Sequence, residues 1–152
     1  MDFAGASRLE SRLAALDSPV RLVFFTQTFG CDSCLMARQI VDRIVAASDQ
    51  LTVVEHNLVL DKDEAARYGV DRAPALAVVG GDDDGGAGDV GFRYYGVPAG
   101  FEMESIVEAI ELVAAGGAAA VAAGKSALSD ETLDTVDALD RDVNLRVFVT
   151  PT

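Results

Sequence analysis

The stretch FFTQTFGCDSCLMARQIV, residues 24 to 41, holds both cysteines of the 152-residue chain. An apolar run, VRLVFFT, leads into the pair Cys31 and Cys34, and apolar residues at helical spacing follow it. The continuous β-branched and aromatic run predicts a buried strand over 20–26, and the later periodicity predicts a helix over 32–47. The two cysteines therefore fall where a strand passes into a helix.

This position favours a redox function for the cysteine pair. At a helix N-terminus, backbone N–H groups and the helix dipole stabilise a thiolate on Cys31. Cys34 follows one helical turn later, close enough to attack a mixed disulfide made by Cys31. Cys31 is thus the candidate nucleophile and Cys34 the candidate resolving thiol. Two alternatives stay open: two inert core cysteines, or half of a zinc site, for which His56 is the only other soft ligand. We favour the redox site and expect no bound metal.

The two residues between the cysteines are Asp32 and Ser33. The negative charge of Asp32 lies beside the Cys31 thiolate, so it opposes thiolate formation and offsets part of the helix effect. A less stabilised dithiol form has a lower reduction potential. The sequence therefore predicts a reducing site rather than a strong oxidant.

Composition excludes several classes of protein. Half of the residues are hydrophobic, which suffices for one domain with a core. A formal net charge of −13 argues against a nucleic-acid partner, because phosphates would be repelled. The chain has no run of about 20 strongly apolar residues and no signal-like N-terminus. We expect a cytoplasmic protein with no membrane partner, in a compartment where CxxC is more often catalytic or metal-binding than structural.

The acidity comes mainly from aspartate, and Lys62 and Lys125 are the only lysines. A hydrated acidic surface with few lysines suits a halophile, whose high-salt cytoplasm screens the self-repulsion of the protein. An ordinary acidic protein from a GC-rich genome is the alternative explanation.

Apolar patterns outside this stretch predict the remaining elements of the first 115 residues. They indicate, in chain order, a helix over 8–16, a strand over 51–60, a helix over 61–68 with Asp61 as N-cap, strands over 75–79 and 90–95 joined by an acidic turn over 80–89, and a helix over 101–115. The order β-α-β-α-β-β-α implies two parallel βαβ steps and a closing antiparallel hairpin. We therefore predict an α/β thioredoxin fold over residues 1–115, with a mixed central sheet and helices on both faces.

A second copy of the beginning of the chain lies at its end. ALDSPVRLVFFTQT, residues 15 to 28, aligns with ALDRDVNLRVFVTPT, residues 138 to 152, at an offset of 123. We expect a Gly- and Ala-rich linker over 116–129 and the start of a second thioredoxin-like unit, a helix and an apolar strand, over 130–152. On this interpretation the chain is a fragment of a tandem protein, or a protein that lost its second half; chance similarity is the alternative. An unpaired strand there would favour oligomerisation through the C-terminal strand.

Four motifs resemble the protein disulfide oxidoreductases of archaea and some bacteria, also called glutaredoxin-like proteins, which carry two thioredoxin-fold units in tandem. The motifs are CDSC (31–34), YGVDRAPA (68–75), RYYGVPAGFEM (93–103) and RVFVTPT (146–152). The resemblance implies Cys31 and Cys34 as the redox pair. It also implies Pro74 as a cis-proline opposite the CxxC that offers backbone to an extended peptide substrate; an ordinary trans-proline at a strand start is the alternative. Protein disulfides or dithiols are then the substrates, a thioredoxin-reductase-like protein is the electron donor, and no cofactor is bound.

Glu55 and His56 are neighbours on the second strand, so they should point to opposite faces of the sheet. A buried Glu55 near Cys34 would accept its proton during resolution, which makes Glu55 a candidate proton acceptor. The alternative is that both are surface or hydrogen-bonded strand residues.

The leading functional hypothesis is a protein disulfide oxidoreductase that works as a reductase. One alternative is a domain that passes electrons inside a larger peroxide-reducing system, similar to the N-terminal tandem fold of alkyl hydroperoxide reductase flavoproteins. Another is a non-catalytic docking module whose CxxC is vestigial. Selective alkylation of Cys31 would separate the redox hypotheses from the docking module.

Overall fold

The computed structural model describes residues 3–81, 88–117, 119 and 128–149. The elements in these ranges are α1 (Phe3–Ala14), β1 (Val20–Thr26), α2 (Cys34–Val45), β2 (Leu51–Asn57), α3 (Lys62–Arg67), β3 (Ala75–Gly80), β4 (Gly88–Tyr95), α4 (Glu102–Ala114) and, near the end, α5 (Asp130–Asp137). The predicted order β-α-β-α-β-β-α from residue 20 to α4 is confirmed. The strand leading to the cysteine pair has the predicted bounds.

The four strands form one mixed sheet in the order β2-β1-β3-β4. β1 and β2 are parallel, as predicted, and β3 and β4 form the predicted antiparallel hairpin. The predicted parallel pairing after α3 is wrong, because β3 runs antiparallel to β1. With six residues, α3 rises only about 9 Å, too little to return the chain along a strand about 23 Å long. β3 therefore begins at the edge where β2 ends and runs back.

Helices cover both faces of the sheet, as predicted, but they cover them unequally. On one face α1, α2 and α4 enclose the larger core, in which Leu22 and Phe24 of β1 are fully buried. On the other face α3 packs on a smaller cluster that includes Phe25 and Tyr68. Side chains alternate between the two faces along a strand, so a strand buried on both faces is continuously apolar. This explains the VRLVFFT run, with Arg21 as its one charged member.

Arg12 ties α1 to α4 through paired charges. Its Nε and Nη2 donate to the two carboxylate oxygens of Glu111 at 2.8 and 2.6 Å, and its Nη1 donates to Glu104 at 2.8 Å. Arg8 donates to the same oxygen of Glu104 at 2.7 Å. The hydrogen bonds from Arg12 hold the pKa of Glu111 below its usual value. This four-residue network fixes the N-terminal helix on the core.

We predict that Arg12→Met lowers the free energy of unfolding by about 1 kcal/mol at low salt, because it removes a bidentate but partly exposed ion pair. The loss should shrink in concentrated KCl. Since the pKa of Glu111 is lowered by folding, its contribution is present above the unfolded pKa and disappears as the pH falls through the folded pKa. The difference between wild type and variant should therefore also shrink below about pH 4.

Urea unfolding at two salt concentrations and across this pH range measures the effect. Arg43→Met is the matched control, because Arg43 is an exposed arginine of α2 and the substitution is the same. Equal losses in the two variants would mean that the network between α1 and α4 contributes nothing beyond an ordinary surface charge.

The end of the described chain does not pack as the repeat predicted. α5 begins after Ser129, whose Oγ accepts the Thr132 N–H, and no residue of this helix is buried. The predicted apolar strand is not formed over 145–149, where the described residues are exposed and have no regular secondary structure. A strand needs a neighbour for its backbone groups, and none of the described strands pairs with this segment. A second unit over 130–152, and association through it, stay predictions.

Parts of three predicted segments fall outside the described residues. These are residues 82–87 of the acidic turn, residues 118 and 120–127 of the predicted linker, and residues 150–152 of the predicted second unit. The pairing of Gly80 with Gly88 shows that β3 and β4 flank the first of them directly. As far as the structure describes the chain, no helix is both long enough and apolar enough to cross a membrane.

Candidate redox site

One edge of the sheet gathers the loops that carry the predicted site residues. The parallel strands β1 and β2 both end at this edge. β3 begins there and β4 ends there, since Ala75 is opposite both Phe25 of β1 and Tyr95 of β4. The loop with the cysteine pair and the loop with Pro74 are therefore neighbours, although about 40 residues separate them in the chain.

Cys31 and Cys34 form a disulfide, and their Cα atoms lie 5.4 Å apart. Cys34 is the first residue of α2 and is buried, whereas Cys31 is partly exposed. The helix begins two residues later than predicted, and Cys31 lies in the turn before it, at the predicted junction of strand and helix. Ser33 is the N-cap, and the Cys34 N–H reaches the Cys31 carbonyl oxygen at 3.4 Å to close that turn. An incoming sulfur atom therefore meets Cys31 first.

The first turn of α2 supplies electrostatic support for a negative charge at the site. N–H groups in the first turn of a helix have no acceptor within it, and the helix dipole adds a partial positive charge there. No acidic side chain lies in the first turn of α2, and Ser33 makes no side-chain capping hydrogen bond. Asp32 precedes the helix and is exposed, so solvent screens its charge in part.

Pro74 is buried at the start of β3, and the Ala73–Pro74 peptide bond is cis. Its carbonyl oxygen accepts the Gly96 N–H at 2.9 Å, which ties the loop before β3 to the loop after β4. The preceding Arg72 is exposed and lies over the Tyr95 ring, with its guanidinium carbon 5.1 Å from the ring centroid. Contact between Pro74 and a substrate backbone stays a prediction.

Glu55 is exposed rather than buried, so one premise of its predicted role is wrong. It lies in β2 opposite Phe24, and its carboxylate accepts from Nη1 of Arg38 at 2.6 Å. The physical reason is that β2 is an edge strand, whose outer side meets solvent at the flank of α2. The proton-acceptor role of Glu55 stays a prediction.

Sequence reasoning missed Arg38, which holds Glu55 and also pairs with Asp42 at 2.9 Å. Arg38 follows Cys34 by four residues on α2, so it lies one helical turn beyond the buried thiol. The four-residue spacing from Cys34 could have pointed to Arg38. Its pairing with Glu55 could not be predicted, because nothing in the sequence shows that a carboxylate on β2 faces α2.

His56 lies on the opposite face of the sheet from Glu55, as strand alternation predicts. Its ring stacks at a tilt on Phe25, with centroids 5.5 Å apart, and its Nδ1 is 3.8 Å from a carboxylate oxygen of Asp61. Asp61 occupies the predicted N-cap position of α3, but its side chain accepts the Asn57 N–H instead of a helix N–H. Over the part of the chain that the structure describes, no three His, Cys, Asp or Glu side chains are grouped to hold a metal ion.

Exposed apolar side chains lie at the same edge of the sheet as the cysteine pair, a feature that sequence reasoning also missed. We call this surface the site rim; its members are Phe29, Leu35, Met36, Val59, Leu60 and Phe101. They belong to the loops after β1, β2 and β4 and to the first turn of α2, all at the same edge of the sheet. Phe29 is 87% exposed and Phe101 is 80% exposed. Several exposed apolar side chains at one edge make this edge a candidate binding surface.

Comparison with known proteins gives a fold but no sequence family. Neither a protein-family model nor a curated protein matches the sequence. The structure is similar to the crystal structure of a protein disulfide oxidoreductase from Aeropyrum pernix, with a TM-score of 0.68 and 22% identity, over 91% of this chain and 55% of that one.

Two structures of the alkylhydroperoxide reductase AhpF from Enterococcus faecalis are also similar. One, a C503A mutant, has a TM-score of 0.71 and 19% identity over 91% of this chain and 61% of that one. The other, the NTD_N/C domain, has a TM-score of 0.72 and 18% identity over 93% of this chain and 62% of that one. The chain thus spans less than two thirds of each of these three structures. The predicted fold is confirmed: the chain has a thioredoxin fold, with a disulfide-bonded CxxC at the edge of its sheet.

Proposed function

We propose that this protein is a cytoplasmic thiol–disulfide oxidoreductase that reduces disulfides in protein substrates. The observation that carries the proposal is the disulfide between the partly exposed Cys31 and the buried Cys34, where β1 passes into α2. A pair in which one sulfur is accessible and the other is covered can react in two ordered steps. The same fold in a protein disulfide oxidoreductase supports the proposal.

The reduction proceeds by two exchanges of sulfur partners. The Cys31 thiolate attacks one sulfur of the substrate disulfide, and the other sulfur leaves as a thiolate and takes up a proton. Cys34 then gives up its proton and attacks the Cys31 sulfur, which releases the second substrate thiol and forms the Cys31–Cys34 disulfide. Two electrons have passed to the substrate. A thioredoxin-reductase-like donor returns them by reducing that disulfide.

Other residues of the site have supporting functions in this proposal. Glu55 accepts the proton of Cys34, and Arg38 keeps the Glu55 carboxylate beside the first turns of α2. Pro74 offers backbone to an extended segment of the substrate. The site rim binds apolar side chains that flank the substrate disulfide, because their contact removes exposed apolar surface from water.

We predict a reduction potential near or below that of thioredoxin, about −270 mV. Asp32→Asn should raise it by about 10–20 mV, because removing an exposed negative charge stabilises the thiolate of the reduced form by less than about 1 kcal/mol. Titration in dithiothreitol buffers, with the reduced fraction measured by alkylation and mass spectrometry, gives both potentials. The Cys31→Ser variant cannot form the Cys31–Cys34 disulfide, so it gives the background alkylation signal.

Asp49→Asn is the matched control for charge, because Asp49 is an exposed residue that precedes β2 at the far edge of the sheet. A wild-type potential well above about −270 mV would contradict the reductase direction. A potential that is unchanged in Asp32→Asn would contradict the assigned effect of Asp32. If the titration shows no reversible dithiol–disulfide couple, only the docking-module hypothesis remains.

A second candidate function is an electron-passing domain of a larger peroxide-reducing system. The similarity to AhpF, with TM-scores of 0.71 and 0.72, is the observation that favours it. The reduced protein would then transfer electrons faster to a peroxidase disulfide than to the disulfides of insulin. Comparing the two rates under the same conditions separates the two functions.

A further inference from the structure

A second polar site lies on the α3 face of the sheet, away from α2. Residues of β1, β2 and α3 enclose a cavity of about 200 Å³ there. Its polar lining consists of Arg21, His56, Glu64, Arg67 and Tyr68, and two valines complete it. The redox proposal uses none of these side chains.

Arg21 is the feature that most needs an explanation. It is 3% exposed, and among the described residues it is the one buried residue with a charged side chain. It lies in the central strand β1, in register with Thr52 of β2 and Val79 of β3. Burying a guanidinium costs several kcal/mol unless oxygen acceptors compensate, and an apolar residue would usually serve stability as well. An arginine at this position places N–H donors on the wall of the cavity, where bulk water competes little for them.

The cavity is positively charged although the chain as a whole is strongly acidic. Arg21 and Arg67 contribute two positive charges, and Glu64, paired with Arg67 at 3.4 Å, contributes one negative charge. Arg93 and Asp89 beside the cavity form an ion pair with each other, so together they add no net charge. The lining thus carries one net positive charge, against a formal net charge of −13 for the chain.

The ring of Tyr68 contacts two arginine side chains, those of Arg67 and Arg93. The guanidinium carbons of Arg67 and Arg93 each lie 5.3 Å from the centroid of its ring, and Arg93 Nε donates to its carbonyl oxygen at 2.7 Å. Stacking of this kind orders the long side chain of Arg67, so less rotamer freedom is lost when a ligand binds. The Arg67 guanidinium at the rim of the cavity is therefore ordered before a ligand binds.

We propose that this cavity binds a small oxyanion of the size and charge of phosphate, with Arg21 at its base and Arg67 at its rim. The planar guanidinium fork matches the spacing of phosphate oxygens, and arginine is favoured wherever proteins bind such anions through paired hydrogen bonds. The cavity volume of about 200 Å³ is several times the space that one water molecule needs, so the cavity accommodates a tetrahedral oxyanion and a few waters. His56 and Tyr68 add further hydrogen-bonding groups to the lining.

Isothermal titration calorimetry of the whole chain with potassium phosphate, at ionic strength held constant with KCl, tests the proposal. We expect saturable binding of one phosphate per chain. Arg21→Met should weaken binding at least ten-fold, and Arg67→Met, at a partly exposed position that tolerates the change, should weaken it similarly. Arg8→Met is the matched control: it removes an exposed arginine from α1, on the other face of the sheet, and should bind as the wild type does.

A titration with glycerol phosphate identifies the source of the anion. Equal affinity would indicate a phosphate group carried on a larger molecule, and binding of inorganic phosphate alone would indicate a free anion; both agree with the proposal. No saturable heat with either probe, or equal affinity in wild type and Arg67→Met, would overturn it. If the Arg21→Met variant does not fold, the phosphate affinity of the Arg67→Met variant alone tests the proposal.

Discussion

Replacing Cys31 with serine will abolish disulfide reduction, with a loss of at least about a thousand-fold in rate, because a hydroxyl cannot replace the attacking thiolate. Cys34→Ser will behave differently. Cys31 remains able to attack the substrate, but no second sulfur releases the product, so a covalent mixed disulfide accumulates. This asymmetry follows from the exposure of the two sulfurs: Cys31 is partly exposed and Cys34 is 5% exposed.

The measurement is a single turnover of the pre-reduced protein on a peptide that contains one disulfide. Chromatography follows the peptide, and mass spectrometry locates any adduct. Ser33→Ala is the control, because it changes a residue between the two cysteines without removing a sulfur, and it should retain most of the rate. An adduct on Cys34 in the Cys31→Ser variant, formed at the wild-type rate, would reverse the two assignments.

Phe24→Ala should lower the free energy of unfolding by about 3–5 kcal/mol, the largest stability effect that we expect from one substitution. Phe24 lies in the central strand, is 1% exposed, and packs in the larger core beneath α1, α2 and α4. The change removes most of a large aromatic side chain and leaves a cavity that a strand paired on both sides cannot close. For a domain whose total stability is about 5–15 kcal/mol, the loss is a large fraction.

Phe148→Ala is the matched control for this core substitution. Phe148 is the residue of the repeat that corresponds to the Phe25 position, and it is 88% exposed in a segment without regular structure. Its replacement should change the free energy of unfolding by less than about 0.5 kcal/mol. Urea unfolding of both variants gives the comparison. A comparable loss in Phe148→Ala would contradict this expectation and would show that Phe148 packs against the domain in solution.

Local patterns alone were enough to locate the cysteine pair relative to the elements and to give the order of those elements. Cys31 and Cys34 could be placed at the end of a central strand because that strand is buried on both faces and is therefore apolar almost without interruption. The order of strands and helices follows from periods of about 2 and 3.6 residues, which are properties of short segments. The thioredoxin fold was predictable to this extent, and so was the position of the disulfide-bonded cysteine pair.

The direction of β3 was not predictable from the same patterns, because a segment has the same period whether it runs up or down a sheet. The short length of α3 determined that β3 runs antiparallel to β1. The strand that the repeat predicted over 145–149 is not formed, for a related reason. The segment around Phe148 has the composition of a strand, but none of the described strands lies beside it, and strand formation depends on the neighbour.

The surroundings of the cysteines and the cavity beside Arg21 were decided only by tertiary structure. Arg38 and Glu55 are 17 residues apart, and they meet because α2 lies along the edge strand β2. The site rim combines residues from four separate segments, which the shared edge of the sheet brings together. Periodicity describes which way a side chain points within its own element, whereas charge pairing, exposure and cavities depend on what the rest of the chain places opposite that side chain.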